Sequence, residues 1–245
     1  MTQRHVALDG AVNFRDLGGY VTADGRRTRW RTLFRADGLG DLSEKDLAMV
    51  RELGIRTVID LRSGYELEQS RFDTVAHPVD FHHVPFIEAL PHADEWDLKP
   101  GLLGAQYKEM LDEATAQIVT ALEVLAKPDA VPAVFHCTAG KDRTGLLAAL
   151  VLSLVGVPEE TVVADYALSG EAMERLRAKL VVKYPEGRDA IFALDEVFSA
   201  KPSNMTDLFV HLRENYGSVA GYAAAAGVTD GVIGGLRAVY LEPLP

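Results

Sequence analysis

His136-Cys137-Thr138-Ala139-Gly140-Lys141-Asp142-Arg143-Thr144-Gly145 lies between two apolar runs, residues 130–135 and 146–155. A short apolar run bounded by loop residues reads as a buried strand, and a longer one as a buried helix. The string between them is then a tight strand-to-helix loop, which the spacing predicts to lead into a helix starting near Thr144. This predicts an α/β fold with a central, mostly parallel sheet flanked by helices. The single cysteine of 245 residues sits in that loop, six positions ahead of Arg143.

The chemistry of the loop follows from this layout. A helix N-terminus aims free amides and the positive end of its dipole into the loop, favouring negative charge on a sulfur and on a bound oxyanion. The thiolate is the nucleophilic form of cysteine, and a neighbouring cation promotes it. Arg143 presents a planar fork of donors that matches two oxygens of a phosphoryl group. Thr138, Ala139, Gly140, Lys141, Asp142 and Arg143 form the expected phosphate cradle, with Gly140 permitting close backbone approach. A lone Cys with an Arg six residues on is weak by itself, because a buried cysteine is usually inert packing. The full string carries the reading: His before Cys, then Gly140, Arg143, the Thr144 hydroxyl and Gly145.

This string resembles the signature loop of the cysteine-dependent protein tyrosine phosphatases, Cys-x5-Arg followed by Ser or Thr. Its Gly-Lys-Asp-Arg-Thr-Gly form resembles the atypical bacterial PtpB-type branch of tyrosine and lipid phosphatases. The resemblance spans residues 11–241 and takes in Asn13-Phe14-Arg15-Asp16-Leu17-Gly18-Gly19 and Ile59-Asp60-Leu61-Arg62-Ser63. It implies a phosphomonoesterase acting in two steps. Cys137 attacks phosphorus, Arg143 and the loop amides hold the equatorial oxygens, and water then cleaves a phosphocysteine. No metal or other cofactor is called for. His136 would tune the thiolate, and the Thr144 hydroxyl would donate to the departing sulfur.

A general acid must protonate the leaving oxygen. The Trp-Pro-Asp triplet of better-known tyrosine phosphatases is absent from this sequence. The resemblance implies Asp142 as the acid, with Asp60 second and an acid from the acidic stretch 94–97 third; a structural carboxylate is the other reading of Asp142. Arg15 and Asp16 are implied to brace the loop. Asp60 and Arg62, at the carboxyl end of a buried strand, stand either at the rim of the site or simply pair with each other. Lys141 suits substrates with additional phosphates, as in phosphoinositide phosphatases of this branch, or else neutralises Asp142. Phosphotyrosine, phosphoserine or threonine, and phosphoinositide substrates all stay open. A silent phosphate-binding module is the alternative from another class, and a rhodanese-like sulfur transferase fits the arginine spacing poorly.

At 48% apolar and 25% charged residues, the chain suits one phosphatase-like domain over residues 1–245. The formal net charge of −11 argues against nucleic acid as a partner. No apolar run approaches bilayer length, so no integral membrane contact is expected. Without a charged-then-apolar leader, and with one cysteine that is best kept reduced, the expectation is cytoplasmic, export lacking a recognisable signal being left open. The sequence is silent on oligomeric state.

Elsewhere, Asp24-Gly25 reads as a hairpin turn, and Ser43 opens a capped helix that Gly54 stops. Residues 81–86 read as a strand whose two histidines face opposite sides and find no third ligand at suitable spacing for a metal. The acidic stretch 88–103 reads as a loop, 107–125 as helical, and Pro158 as the first residue of the next helix. The carboxyl third reads as helices over 171–184, 190–199 and 205–216; those between 170 and 203 are plain scaffold on the sequence alone or, as the family resemblance implies, a lid over the site.

Overall fold

The structure is a computed structural model that describes residues 4–87, 102–183 and 185–244. Strands β1 Arg15–Asp16, β3 Leu33–Ala36, β4 Thr57–Asp60, β5 Asp80–His83 and β6 Ala133–His136 form one sheet in the order β1-β3-β6-β4-β5. Only the β1–β3 pair is antiparallel among these described strands. The α/β class with a mostly parallel sheet is thus the observed fold.

The two-residue period of a strand sorts its side chains to opposite faces. Leu33, Ile59 and Phe135 join one apolar cluster, and Phe34, Val58 and Val134 the other. The first face is covered by α5 Asp142–Leu154 together with α3 Leu102–Glu113, α4 Thr115–Leu125, α6 Glu159–Ala167, α9 Pro202–Tyr216, α10 Val219–Ala225 and α11 Asp230–Tyr240. Helix α5 has 11 buried residues among its 13, as a helix that is apolar all round must. The second face is covered by α1 Glu44–Glu52, through Leu47 and Val50. Ser43 caps α1 by a reciprocal box with Asp46, and Gly54 at φ 71° ends it.

Register places Ala36 beside His136 and His136 beside Asp60. The carboxyl ends of three parallel strands therefore meet where the signature loop leaves β6, the position at which open α/β sheets bind ligands.

The structure departs from the sequence reading in several places. The segment 107–125 is two helices, α3 and α4, separated at Ala114. The Thr115 hydroxyl donates to the carbonyls of Leu111 and Asp112, a local bond that competes with a continuous helix. The signature-loop helix begins at Asp142, two residues before Thr144, so Asp142 and Arg143 lie in its first turn. Pro158 is the residue before α6 rather than its first. Within 171–199, α7 runs Ser169–Lys183 and α8 only Arg188–Ala193. Beyond α8 the carbonyls of Val197 and Ser199 turn to accept from Lys141 Nζ instead of extending a helix. Strand β2 Arg26–Thr28, after the Asp24-Gly25 turn, pairs antiparallel with β7 Leu241–Pro243 in a separate two-stranded sheet. No described helix is long and apolar enough to cross a membrane. The acidic stretch at 94–97 lies outside the described residues.

Candidate active site

Strand β6 ends at His136 and α5 starts at Asp142, so five residues, Cys137 to Lys141, make the turn. Gly140 adopts φ 65°, and a Cβ there would come within 2.6 Å of the Ala36 carbonyl and the Asp37 amide. A glycine is required on both counts. Cys137 is 1% exposed at the floor of the loop. None of the amides from Thr138 to Arg143 donates to a backbone carbonyl among the described residues, which leaves them oriented as an anion cradle.

The loop is held from outside by its carbonyls. Arg35 Nη2 donates to Gly140 O at 2.7 Å, Asn13 Nδ2 to Ala139 O at 2.9 Å, and the Gly38 amide to Thr138 O at 3.2 Å. Behind them Asp165 accepts from Arg35 Nη1 at 2.7 Å, Arg15 Nε at 3.2 Å and Tyr20 OH at 2.8 Å. Arg15 also donates to Asn13 Oδ1 and to Ser169 Oγ. Arg15 therefore reaches the loop only through Asn13 and Asp165. Asp16 does not reach it: its carboxylate accepts from the amides of Gly18 and Arg31 and shapes the β1–β3 turn.

Asp60 and Arg62 pair with each other. Arg62 donates to both oxygens of Asp60, at 2.6 Å for the shortest bond, and to Ser70 O. Burial opposes the charge on Asp60, but His136 and Arg62 outweigh it and hold its pKa below the usual value. A carboxylate so committed is a poor proton donor. His136 has its Nδ1 3.4 Å from Cys137 O and its Nε2 3.5 Å from Asp60 Oδ2. Burial pushes its pKa down to about 4 despite Asp60, so the imidazole is neutral at pH 7. Thr144 Oγ1 is buried and has no hydrogen-bond partner among the described residues.

Lys141 is fully buried, its ammonium bonded to Val197 O and Ser199 O and 3.4 Å from Asp142 Oδ1. It links the loop to the carboxyl-terminal helical region, which also seats Ala172, Met173 and Leu176 of α7 against Val12 and Ala139. The two β5 histidines have other partners: His82 Nε2 lies 2.9 Å from Asp80 Oδ2, and His83 Nε2 lies 2.8 Å from Arg62 O.

Glu66, on the short helix α2 Gly64–Gln69, was not singled out by the sequence reading. Its carboxylate takes both terminal nitrogens of Arg143, at 2.6 and 2.8 Å, and the Thr138 hydroxyl. It also accepts from the Ser63 amide and hydroxyl, each at 3.0 Å, in a capping box. This end-on grip leaves the Nε side of the guanidinium free of protein acceptors among the described residues, the side from which a phosphoryl group can take two parallel bonds. Burial raises the Glu66 pKa, but the hydrogen bond and charge of Arg143 more than reverse this and bring it down to about 2. Burial likewise works against Arg143, whereas Glu66 and the charge of Cys137 raise its pKa above the ordinary guanidinium value.

Glu66→Gln is therefore expected to lower kcat/KM on the order of 10- to 100-fold by letting Arg143 swing from its productive orientation, as steady-state kinetics would show. The contribution of the pair to stability is complete above pH 4.5, the unperturbed value, and is lost as pH falls toward about 2. Equal kinetics for wild type and Glu66→Gln would leave Glu66 as a helix cap only.

Comparison with known proteins places the chain in a family. The model of the tyrosine phosphatase family matches residues 6–242. The chain is 30% identical to the triple specificity protein phosphatase PtpB of Mycobacterium tuberculosis, over 96% of this chain and 98% of that one. It is 34% identical to a tyrosine-protein phosphatase of Nostoc commune, over 57% of this chain and 49% of that one. A solved structure of P. aeruginosa TpbA overlaps 85% of this chain and 95% of its own, at 17% identity and a TM-score of 0.38. The chain belongs to the tyrosine phosphatase family. It is an enzyme of the phosphoric monoester hydrolase class.

Proposed function

We propose that the chain hydrolyses phosphomonoesters through a phosphocysteine, with Cys137 as nucleophile, Arg143 as oxyanion holder and Asp142 as general acid. What supports the reading most is that one loop holds Cys137, amides without a backbone acceptor among the described residues, and Arg143 gripped by Glu66. In the first step the S–P bond forms as the P–O bond breaks, and the Asp142 proton passes to the leaving oxygen. In the second, water attacks phosphorus, Asp142 takes its proton, and the sulfur departs as thiolate. Charge building on the equatorial oxygens meets Arg143 and the amides without reorganisation of solvent.

The PtpB relative is named a triple specificity protein phosphatase, which supports testing more than one class of phosphomonoester. Of the two readings of Lys141, its bonds to Val197 O and Ser199 O favour bracing and neutralisation over contact with a second phosphate. The one-domain organisation over 1–245 and a cytoplasmic setting are retained as part of this reading.

Turnover of para-nitrophenyl phosphate, phosphotyrosine and phosphoserine peptides, and phosphatidylinositol phosphates without added metal tests it, with acid quenching to trap the phosphoenzyme. A silent binding module would release no product. Asp142→Asn is expected to lower kcat for phosphotyrosine peptide roughly 10²- to 10³-fold and to flatten the basic limb of the pH profile. An unchanged profile would move the acid elsewhere.

A further inference from the structure

Asp142 has a buried support that no motif in the sequence marks. Tyr107, on α3 and fully buried, donates its hydroxyl proton to Asp142 Oδ1 at 2.6 Å. The Tyr107 oxygen lies 2.7 Å from the Tyr166 hydroxyl. A phenol has one proton, and that of Tyr107 is used on the carboxylate, so Tyr166 is the donor in the second bond. Asn204 Nδ2, on α9, donates in turn to the Tyr166 oxygen at 3.5 Å. The chain of donors therefore runs one way, from Asn204 through Tyr166 and Tyr107 to Asp142, and each bond polarises the next.

The two rings hold each other edge to face, with centroids 6.1 Å apart and planes at 81°. Gly145 makes room for them: a Cβ there would stand 3.0 Å from Tyr166 Cδ2. Burial first, and then the charge of Asp142, raise both phenol pKa values above the ordinary one. Both hydroxyls thus remain protonated donors throughout the range in which a phosphatase works.

We infer that Tyr107 is a positioning residue for proton transfer: with Lys141 it occupies Asp142 Oδ1, leaving Oδ2 as the oxygen that carries the proton. The inference rests on the reading of Asp142 as general acid. The Asp142 side chain is 29% exposed, and a part-exposed carboxylate at the first position of a helix has several rotamers open to it. A charge-assisted bond from a rigid buried donor selects one. As the P–O bond breaks, the Oδ2 proton moves to the leaving oxygen, and the new negative charge is met at Oδ1 by Tyr107 and Lys141. Oδ2 then accepts the proton of the attacking water as the O–P bond forms and the S–P bond breaks.

The experiment is the leaving-group dependence of Tyr107→Phe set beside that of Asp142→Asn. Phosphotyrosine needs its leaving oxygen protonated, whereas dinitrophenyl phosphate leaves as a stable anion. Tyr107→Phe is expected to lose about 10-fold in kcat/KM, which reports the step that expels the leaving group, on phosphotyrosine peptide and to stay within about 2-fold of wild type in kcat/KM on dinitrophenyl phosphate. Tyr166→Phe should show the same selectivity at about 3-fold.

Retained turnover of dinitrophenyl phosphate reports an intact fold in either variant. Equal losses on both substrates, or no loss on phosphotyrosine while Asp142→Asn remains leaving-group selective, would overturn the role of Tyr107 and spare that of Asp142. An Asp142→Asn variant without leaving-group selectivity would overturn the acid assignment and the inference built on it together.

Discussion

Cys137→Ser is expected to abolish turnover of every phosphomonoester, by a factor on the order of 10⁴ or more, while phosphate still binds. The sulfur is 1% exposed between β6 and α5, and a serine oxygen fits the same space. The cradle is built by other atoms: the loop amides, Arg143 gripped by Glu66, and the outer supports Arg35 and Asn13. The loss is therefore one of nucleophilicity, since His136, brought by burial down to about 4 and turned to the Cys137 carbonyl, is too weak and misplaced a base to ionise a serine hydroxyl. A loss of that size is about 5.5 kcal/mol of barrier. Product formation under single-turnover conditions, read beside the rise in Tm that phosphate produces, checks both halves. Residual activity above a few per cent would remove the sulfur from the mechanism. Lost phosphate binding would instead mean that the substitution had disturbed the loop.

What the sequence disclosed and what it withheld divide by range of interaction. The strand, the tight turn at Gly140 and the buried helix α5 were legible because each depends on neighbours along the chain. The Ser43 cap and the Gly54 stop were legible for the same reason. Glu66 shows half of its role: Ser63-x-x-Glu66 is a capping pattern, but the partner Arg143 lies 77 residues away. A charge within a strand buried throughout, Arg35 in Leu33–Ala36, was a usable signal, because such a charge demands a partner. Nothing local to Asp165 and Tyr166 discloses that one anchors two arginines and the other relays a donor to Tyr107. Lys141 admits two readings in sequence, and the bonds to Val197 O and Ser199 O that bear on them come from a segment far along the chain. Asp60 and Arg62, at a strand end where ligands bind, turned out to bind each other. Such facts depend on which distant segments the fold brings together.

Asp165→Asn is expected to lower stability by about 3–5 kcal/mol, because breaking a buried ion pair leaves its partners charged and uncompensated. Here there are two partners. Arg15 and Arg35 both point at Asp165, and the side chains in this cluster are at most 4% exposed. Burial and the nearby Arg15 already bring Arg35 down to about 10, so loss of the carboxylate removes the main group keeping it charged. An asparagine keeps the size and one acceptor, and the change isolates the charge. The loss is comparable with the whole stability of many domains, and urea unfolding with an unchanged slope would measure it.

The pH dependence gives the sign. Burial raises the pKa of Asp165, but Arg15, Arg35 and Tyr20 overcome it and hold it well below the usual carboxylate range. The contribution is thus present above the unfolded value of about 3.9 and is lost as pH falls through the lower folded value. The difference between wild type and Asp165→Asn should be level from neutral pH down to about 5 and narrow only below about 4. A difference under about 1 kcal/mol at pH 7 would mean that the arginines find other acceptors, and that Gly140 O is held without them. The catalytic consequence follows from Arg35, whose other nitrogen fixes that carbonyl outward. Freed to turn inward, it would present a negative end to the phosphate, so kcat/KM should fall with stability, and a phosphate analogue bound in the cradle should raise the Tm of the variant less than that of wild type.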